Sequence, residues 1–201
     1  MKMKQEGVQR MLGLAKKYTK VIRALKEPNE GEKITGIIKV RFGAYKSVIE
    51  GVQETTDDFI FIFDPKGIFF EDTHHEKRKQ GYHIIKHDLL TGYETLEIDL
   101  KQKSVVYINI EMETSTYQER GEALSNFLQY LTECKNIRPI HLIFHQYDLY
   151  PIPHIEQFLK ESATYHIQHS IVVESQSALQ HIYGKEAAQR IITSYNTTIL
   201  A

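Results

Sequence analysis

ITGIIKVRFGAYKSVIEGVQ, residues 34–53, decides how the rest of the chain is read. ITGIIKVRF (34–42) is an apolar run with strand character, and AYKSVIEGVQ (44–53) has the spacing of a short helix. A lysine and a serine, Lys46 and Ser47, open that helix. This is the layout of a phosphate-binding loop, G-x-x-x-x-G-K-[ST], set between a strand and a helix. Lys46 falls in register to reach a phosphate and Ser47 to hold Mg²⁺. The two glycine positions of the pattern, however, carry Val40 and Tyr45. Such a loop turns its backbone N–H groups inward around the anion, which needs backbone angles and a close approach that side chains obstruct. Gly43 alone does not rebuild that cradle.

Outward from this stretch, strand and helix patterns alternate. DFIFIFD (58–64) is a nearly continuous apolar run, as in a strand buried on both faces. A helix is expected over 66–80, then strands at YHIIKHD (82–88) and SVVYINIEM (104–112). TYQERGEALSNFLQYLTECK (116–135) has helical periodicity, and Arg138-Pro139 ends it before the strand IHLIFHQ (140–146). A helix near 154–163, a strand SIVVESQS (170–177), a helix over 178–194 and a last short strand TTILA (197–201) complete the order. Strands separated by helical crossovers imply an α/β domain with a mainly parallel sheet and helices on both faces. Ligands of such sheets sit at the carboxyl ends of the strands.

Further segments stand in a telling order. Asp-Pro-Lys-Gly (64–67) follows the second strand. Ser-Gln-Ser (175–177) follows the strand after IHLIFHQ, with Ile-Tyr-Gly (182–184) and Asn-Thr-Thr-Ile (196–199) beyond it. Together with the loop at 40–47, this resembles the NTPase domain of the type IV coupling proteins, the TraG/TraD family of conjugation motors, from about residue 36 to the end. The resemblance implies a RecA-like P-loop NTPase fold for residues 34–201. It also puts Lys46, Ser47, Asp64 and Gln176 near a nucleotide.

The departures from that family matter as much. The Walker B strand should end in Asp and Glu, one orienting Mg²⁺ and the other activating the attacking water. Here IHLIFHQY leaves His145 and Gln146 at those places, and matching backwards without a gap from Ile152-Pro153, where the family has Ile-Pro, leaves Phe144 and His145. Asp148 lies beyond the strand end. The all-α lobe of the family has no counterpart, because only residues 89–103 join the strands at 82–88 and 104–112. Phosphoryl transfer depends almost wholly on positioning and charge neutralisation, so losing the cradle and the acids together should remove hydrolysis. The leading expectation is a non-catalytic, pseudo-ATPase homologue, an accessory or interaction module in conjugative DNA transfer, with no cofactor. One alternative is an ATPase that uses Lys46, Ser47 and Gln146 with ATP and Mg²⁺ in a site completed by a neighbouring subunit. Another is a nucleic-acid binder.

That last reading rests on the N-terminus. Residues 1–26 hold eight Lys or Arg against the single acid Glu6, a local charge of +7 in a chain of net −1, leaving −8 for the remainder. Val8, Met11, Leu12, Ala15, Tyr18, Ile22 and Leu25 mark one face of a basic amphipathic helix. Such a helix binds nucleic acid, a membrane surface or an acidic partner, or packs on its own domain. EPNEGEK (27–33) follows as a turn-rich linker.

Composition is that of an ordinary globular protein, and no apolar run is long enough to span a bilayer. Lysines interrupt the apolar residues of the opening MKMKQEGVQR, against a secretory signal. One cysteine, Cys134, excludes an internal disulfide, and the cytoplasm is the simplest compartment. Ten histidines raise a metal question. On a strand, His83 and His87 stand ~13 Å apart, too far for one Zn²⁺; His141 and His145 are spaced alike. His74-His75 and His166/His169 lack a third ligand in sequence, and these histidines are expected at the surface or partly buried. Glu111 and Glu113 follow a strand end, where acids either line the site of such a domain or cap the next turn.

Overall fold

The computed structural model describes residues 36–39, 45–55, 57–92, 101–110, 113–133, 139–149, 151–173, 175–193 and 197–200, with Leu96, Ile98 and Asp99 between. The expected basic helix at 1–26, its linker, Val40 and Cys134 lie outside the described residues.

The strands are β1 (Gly36–Lys39), β2 (Phe59–Phe63), β3 (His83–Asp88), β4 (Ser104–Asn109), β5 (Ile140–Phe144), β6 (Ile167–Val173) and β7 (Thr197–Leu200). The helices are α1 (Tyr45–Glu54), α2 (Ile68–Lys79), α3 (Tyr117–Glu133), α4 (Ile155–Glu161), α5 (Gln176–Tyr183) and α6 (Lys185–Thr193). One seven-stranded sheet runs in the order β3-β4-β2-β5-β6-β1-β7, and every pairing in it is parallel. The expectation of an α/β domain with a parallel sheet therefore holds.

Direction of travel explains the two helical layers. The chain leaves β1 and β2 one way along the sheet, and each later connection runs the other way. Right-handed crossovers then put the two sets on opposite faces. Val52 of α1 and Phe69 of α2 pack on Ile60, Ile62, Val105, Tyr107 and Ile143. On the other face, Phe127 and Leu131 of α3, Leu159 of α4, Leu179 of α5 and Ile191 of α6 pack on Phe61, Val106 and Leu142. Leu89 and Leu96, from the β3–β4 connection, join this second core, as its direction requires.

The central strands are apolar on both sides because both sides are covered: all five residues of β2 and of β5 are buried. Phe63 stacks on Phe144 at 4.4 Å between ring centroids, and the Phe127 ring meets Phe63 edge-on at 5.9 Å. Each such buried ring contributes on the order of 2–3 kcal/mol over its exposed state.

Several boundaries differ from expectation: the strands expected over 104–112 and 140–146 end at Asn109 and Phe144. The strand expected over 170–177 spans Ile167–Val173, because Ser175 leaves the sheet to cap α5, its hydroxyl accepting from the Ala178 N–H at 3.0 Å. The single helix expected over 178–194 is two, α5 and α6. Gly184 parts them at φ 78°, a left-handed angle that glycine adopts without strain.

Candidate functional site at the carboxyl edge of the sheet

The sheet order places the ends of β2, β5, β6 and β1 side by side, and the candidate residues lie at these four ends. β1 and β6 send their connections to opposite faces, as do β2 and β5. Both junctions are switch points, where open α/β sheets leave a crevice.

At the end of β2, Asp64-Pro65-Lys66-Gly67 forms the turn into α2, with Gly67 at φ 70°. Asp64 is 2% exposed. Its Oδ1 accepts from the Ile68 N–H at 3.1 Å and its Oδ2 from the Phe70 N–H at 2.9 Å. Both carboxylate oxygens thus satisfy amide groups in the first turn of α2, which have no partner within the helix.

His145 follows β5, its backbone N–H donating to the Phe63 carbonyl at 3.0 Å. Its Nδ1 stands 3.5 Å from Asp64 Oδ1, and its ring lies edge-on to Phe69 at 4.7 Å. His145 and His141 are 5% and 2% exposed, so both are core residues rather than the surface or partly buried groups expected. His74, at 9%, is likewise buried. Gln146 takes φ 52°, a left-handed angle that costs a glutamine energy, at the turn where the acidic pair was sought.

Gln176 is the first residue of α5, half-buried beside the capping Ser175. Because β6 neighbours β1, with Lys39 opposite Val173, Gln176 lies on the same edge as the end of β1. Tyr45, Lys46 and Ser47 form the first turn of α1. Their side chains, the side chain of Asp148 and residue Glu111 lie outside the described residues. Glu113 is exposed in a turn. The topology thus gathers Asp64, His145, Gln146, Gln176 and the start of α1 on one edge. Among the described residues no group of three or more His, Cys, Asp or Glu is arranged to hold a metal ion, and no helix is long and apolar enough to cross a membrane.

A second polar cluster, unforeseen from sequence, lies toward the opposite, amino end of the sheet. His141 on β5 places Nδ1 3.0 Å from Asp57 Oδ2 and Nε2 2.9 Å from the Ser170 hydroxyl on β6. With Nδ1–H donating to Asp57, Nε2 accepts the serine proton. These are the contacts of a Ser-His-Asp relay. Ser170, however, is 2% exposed within a strand of the sheet. The chain of hydrogen bonds ties the α1–β2 connection to β5 and β6. Nearby, Lys77 is fully buried and donates from Nζ to the Thr55 carbonyl, with the ammonium 4.9 Å from the Tyr82 ring centroid. Burial pulls Lys77 down to about 8, against the opposing pull of Asp57. The Tyr82 hydroxyl donates to the Asp57 carbonyl at 2.9 Å, and burial, helped by Asp57 and Asp58, pushes Tyr82 up to about 12. A histidine inside the apolar run IHLIF was the one sequence signal for this network. Its carboxylate partner stands 84 residues earlier in the chain.

Comparison with protein-family models, with curated proteins and with solved structures finds no match for this chain.

Proposed function

We propose that this chain is a RecA-like P-loop NTPase domain that has lost catalysis, a pseudo-ATPase related to the type IV coupling proteins. It acts as an accessory or interaction module in conjugative DNA transfer. The sheet order supports the RecA-like part. In the dinucleotide-binding order the first two strands are neighbours. Here β5 and β6 separate β1 from β2, so one strand, β6, stands between the loop-bearing strand and the strand of the acid position. That inserted strand leads to Gln176, where the family carries its glutamine sensor.

The observation that carries the loss of catalysis is the state of Asp64 and His145. The buried carboxylate at the switch point is committed to the start of α2 by both oxygens. The neighbouring acid position is filled by an imidazole packed on Phe69. A magnesium ion bound there would have to take Asp64 from the helix and displace a core ring.

Thermal melting in Mg-ATP tests the reading. A ligand held at a hundred times its Kd stabilises by about 2.7 kcal/mol. The expected result is no shift in melting temperature and no phosphate release. Phosphate release above background, abolished in Lys46→Ala, would instead establish the ATPase alternative.

A further inference from the structure

β3 stands at one edge of the sheet, bonded to β4 alone. Its residues are mostly exposed or half-buried, and its apolar anchors are few. Ile84 packs on one core and Ile85 on the other. By the two-residue period of a strand, His87 shares the face of Ile85. It stands opposite Ile108 of β4, a member of the same core. The chain then turns through a short 3₁₀ helix, Leu89–Thr91, in which Leu89 is buried and Asp88 accepts from the Leu90 N–H at 3.0 Å.

His87 is the outlier of this strand. It is the only buried residue of β3, and its Nε2 is closed off from solvent with no hydrogen-bond partner among the described residues. A leucine would fill such a place without leaving a polar atom unsatisfied, so the exception calls for a reason. The site tolerates one protonation state. In the neutral ring the proton sits on Nδ1 and Nε2 keeps a bare lone pair; in the imidazolium both nitrogens are donors, and Nε2–H has no acceptor. Burial accordingly holds His87 below its ordinary value, against the opposing pull of Asp88. Charged side chains of the neighbouring elements are engaged elsewhere. On α3, Glu119 accepts from Thr116, Arg120 donates to Ser115 and Glu122 accepts from Gln118. Asp99 accepts from the Lys101 N–H, Lys86 lies over the Phe70 ring, and β4 carries no charged residue.

We propose that His87 makes β3 an acid-labile edge of the sheet, its protonation loosening the strand and the following 3₁₀ turn from β4 while the central strands stay paired. An edge strand is held from one side, so its release leaves the rest of the sheet intact. Release uncovers the backbone N–H and C=O groups of β4, a row of donors and acceptors open to another strand. Linkage fixes the direction. The detached strand takes up its proton at the ordinary value near ~6.5, and the packed ring only at lower pH. The packed state therefore loses stability as pH falls through that interval, by at most ~tenfold per pH unit for one proton.

Amide hydrogen exchange of the ¹⁵N-labelled full chain, followed as pH is lowered from above neutral to about 5 and corrected for the intrinsic pH dependence of exchange, tests the device. Protection of the amides that pair β3 with β4 is expected to fall by up to ~tenfold per pH unit below about 6.5, and that of β2 and β5 to fall less. His87→Leu should remove the pH dependence in β3 and raise protection there at neutral pH. Should that variant fail to fold, the ring signals of the unaltered chain decide. His87 is expected to titrate at lower pH than His83, which is exposed on the same strand. Titration of His87 together with His83 or above it, β3 protection that is indifferent to pH, or a pH dependence that survives His87→Leu would overturn the proposal. No nucleotide enters these measurements, so their outcome is independent of the pseudo-ATPase reading.

Discussion

Nδ1 of His145 stands 3.5 Å from Oδ1 of Asp64, and both side chains are buried at the junction of β2 and β5. Placing an acid at position 145 therefore sets two carboxylates against each other in the core. His145→Asp is expected to lower stability by about 3–5 kcal/mol at neutral pH, the scale of an uncompensated buried charge. Repulsion raises the folded-state carboxyl pKa above its unfolded value, so the loss should be smallest near pH 4–5 and grow as pH rises. Melting curves at pH 5 and pH 8 check this; a deficit that does not grow with pH would refute it.

Asp64 serves the first turn of α2 through both oxygens, so Asp64→Ala leaves the Ile68 and Phe70 N–H groups without an acceptor. Capping losses of this kind cost about 1–2 kcal/mol. Urea unfolding should show that loss, with Asp64→Asn intermediate because an amide offers one acceptor oxygen instead of two.

Gly121 lies on α3 against the loop after β5. A Cβ there would stand 2.0 Å from the Pro151 carbonyl oxygen and 3.1 Å from its carbon. The obstacle is backbone and cannot rotate away. Gly121→Ala is expected to cost about 3 kcal/mol or more despite alanine's better helix propensity, and chemical denaturation would register it. A neutral or stabilising result would mean that α3 and the loop are not in this contact.

Alkaline pH should reveal Lys77. Its folded-state value of about 8 lies below the ordinary lysine value near 10.4, so between these the unfolded chain binds the extra proton. Stability then climbs with pH across that window, by at most about 1.4 kcal/mol per pH unit. Above pH 10 the slope should reverse. Burial pushes Tyr82 and Tyr107 up to about 12, so there the folded chain holds the extra protons. Lys77→Met should abolish the rise between pH 8 and 10 and leave the decline above it.

The His141 network invites a double-mutant cycle. Ser170→Ala removes one neutral hydrogen bond and should cost about 1 kcal/mol. His141→Leu frees both Ser170 and Asp57 and should cost more. A coupling energy of about 1 kcal/mol between the two positions is expected from the 2.9 Å contact. Coupling near zero would show that the hydrogen bond contributes nothing to stability.

The strands of this chain were legible because a parallel sheet covered on both faces leaves each strand uniformly apolar. FIFIF and IHLIF need no alternation to be recognised. Local punctuation was harder. The break at Gly184 looks like a tolerated helix glycine until its φ of 78° is known. Among candidate residues, Asp64, His145 and Gln176 were named from order along the chain, and the sheet does bring them to one edge. The commitment of Asp64 to α2 was not visible, because a strand-end aspartate reads alike whether it faces a ligand or caps the following turn.

The chain's own order of residues determined the alternation of strands and helices, the doubly covered sheet, and the placing of Val40, Tyr45, His145 and Gln146, none of them a glycine or an acid, at the loop and strand ends. Those are properties of local spacing and side-chain type, which chain order alone conveys. Tertiary structure decided the order β3-β4-β2-β5-β6-β1-β7, the pairing of His145 with Asp64 and of His141 with Asp57, and the burial of Lys77. Each joins residues distant along the chain, and their energies arise only when packing removes water and brings charge and hydrogen-bond partners within about 3 Å.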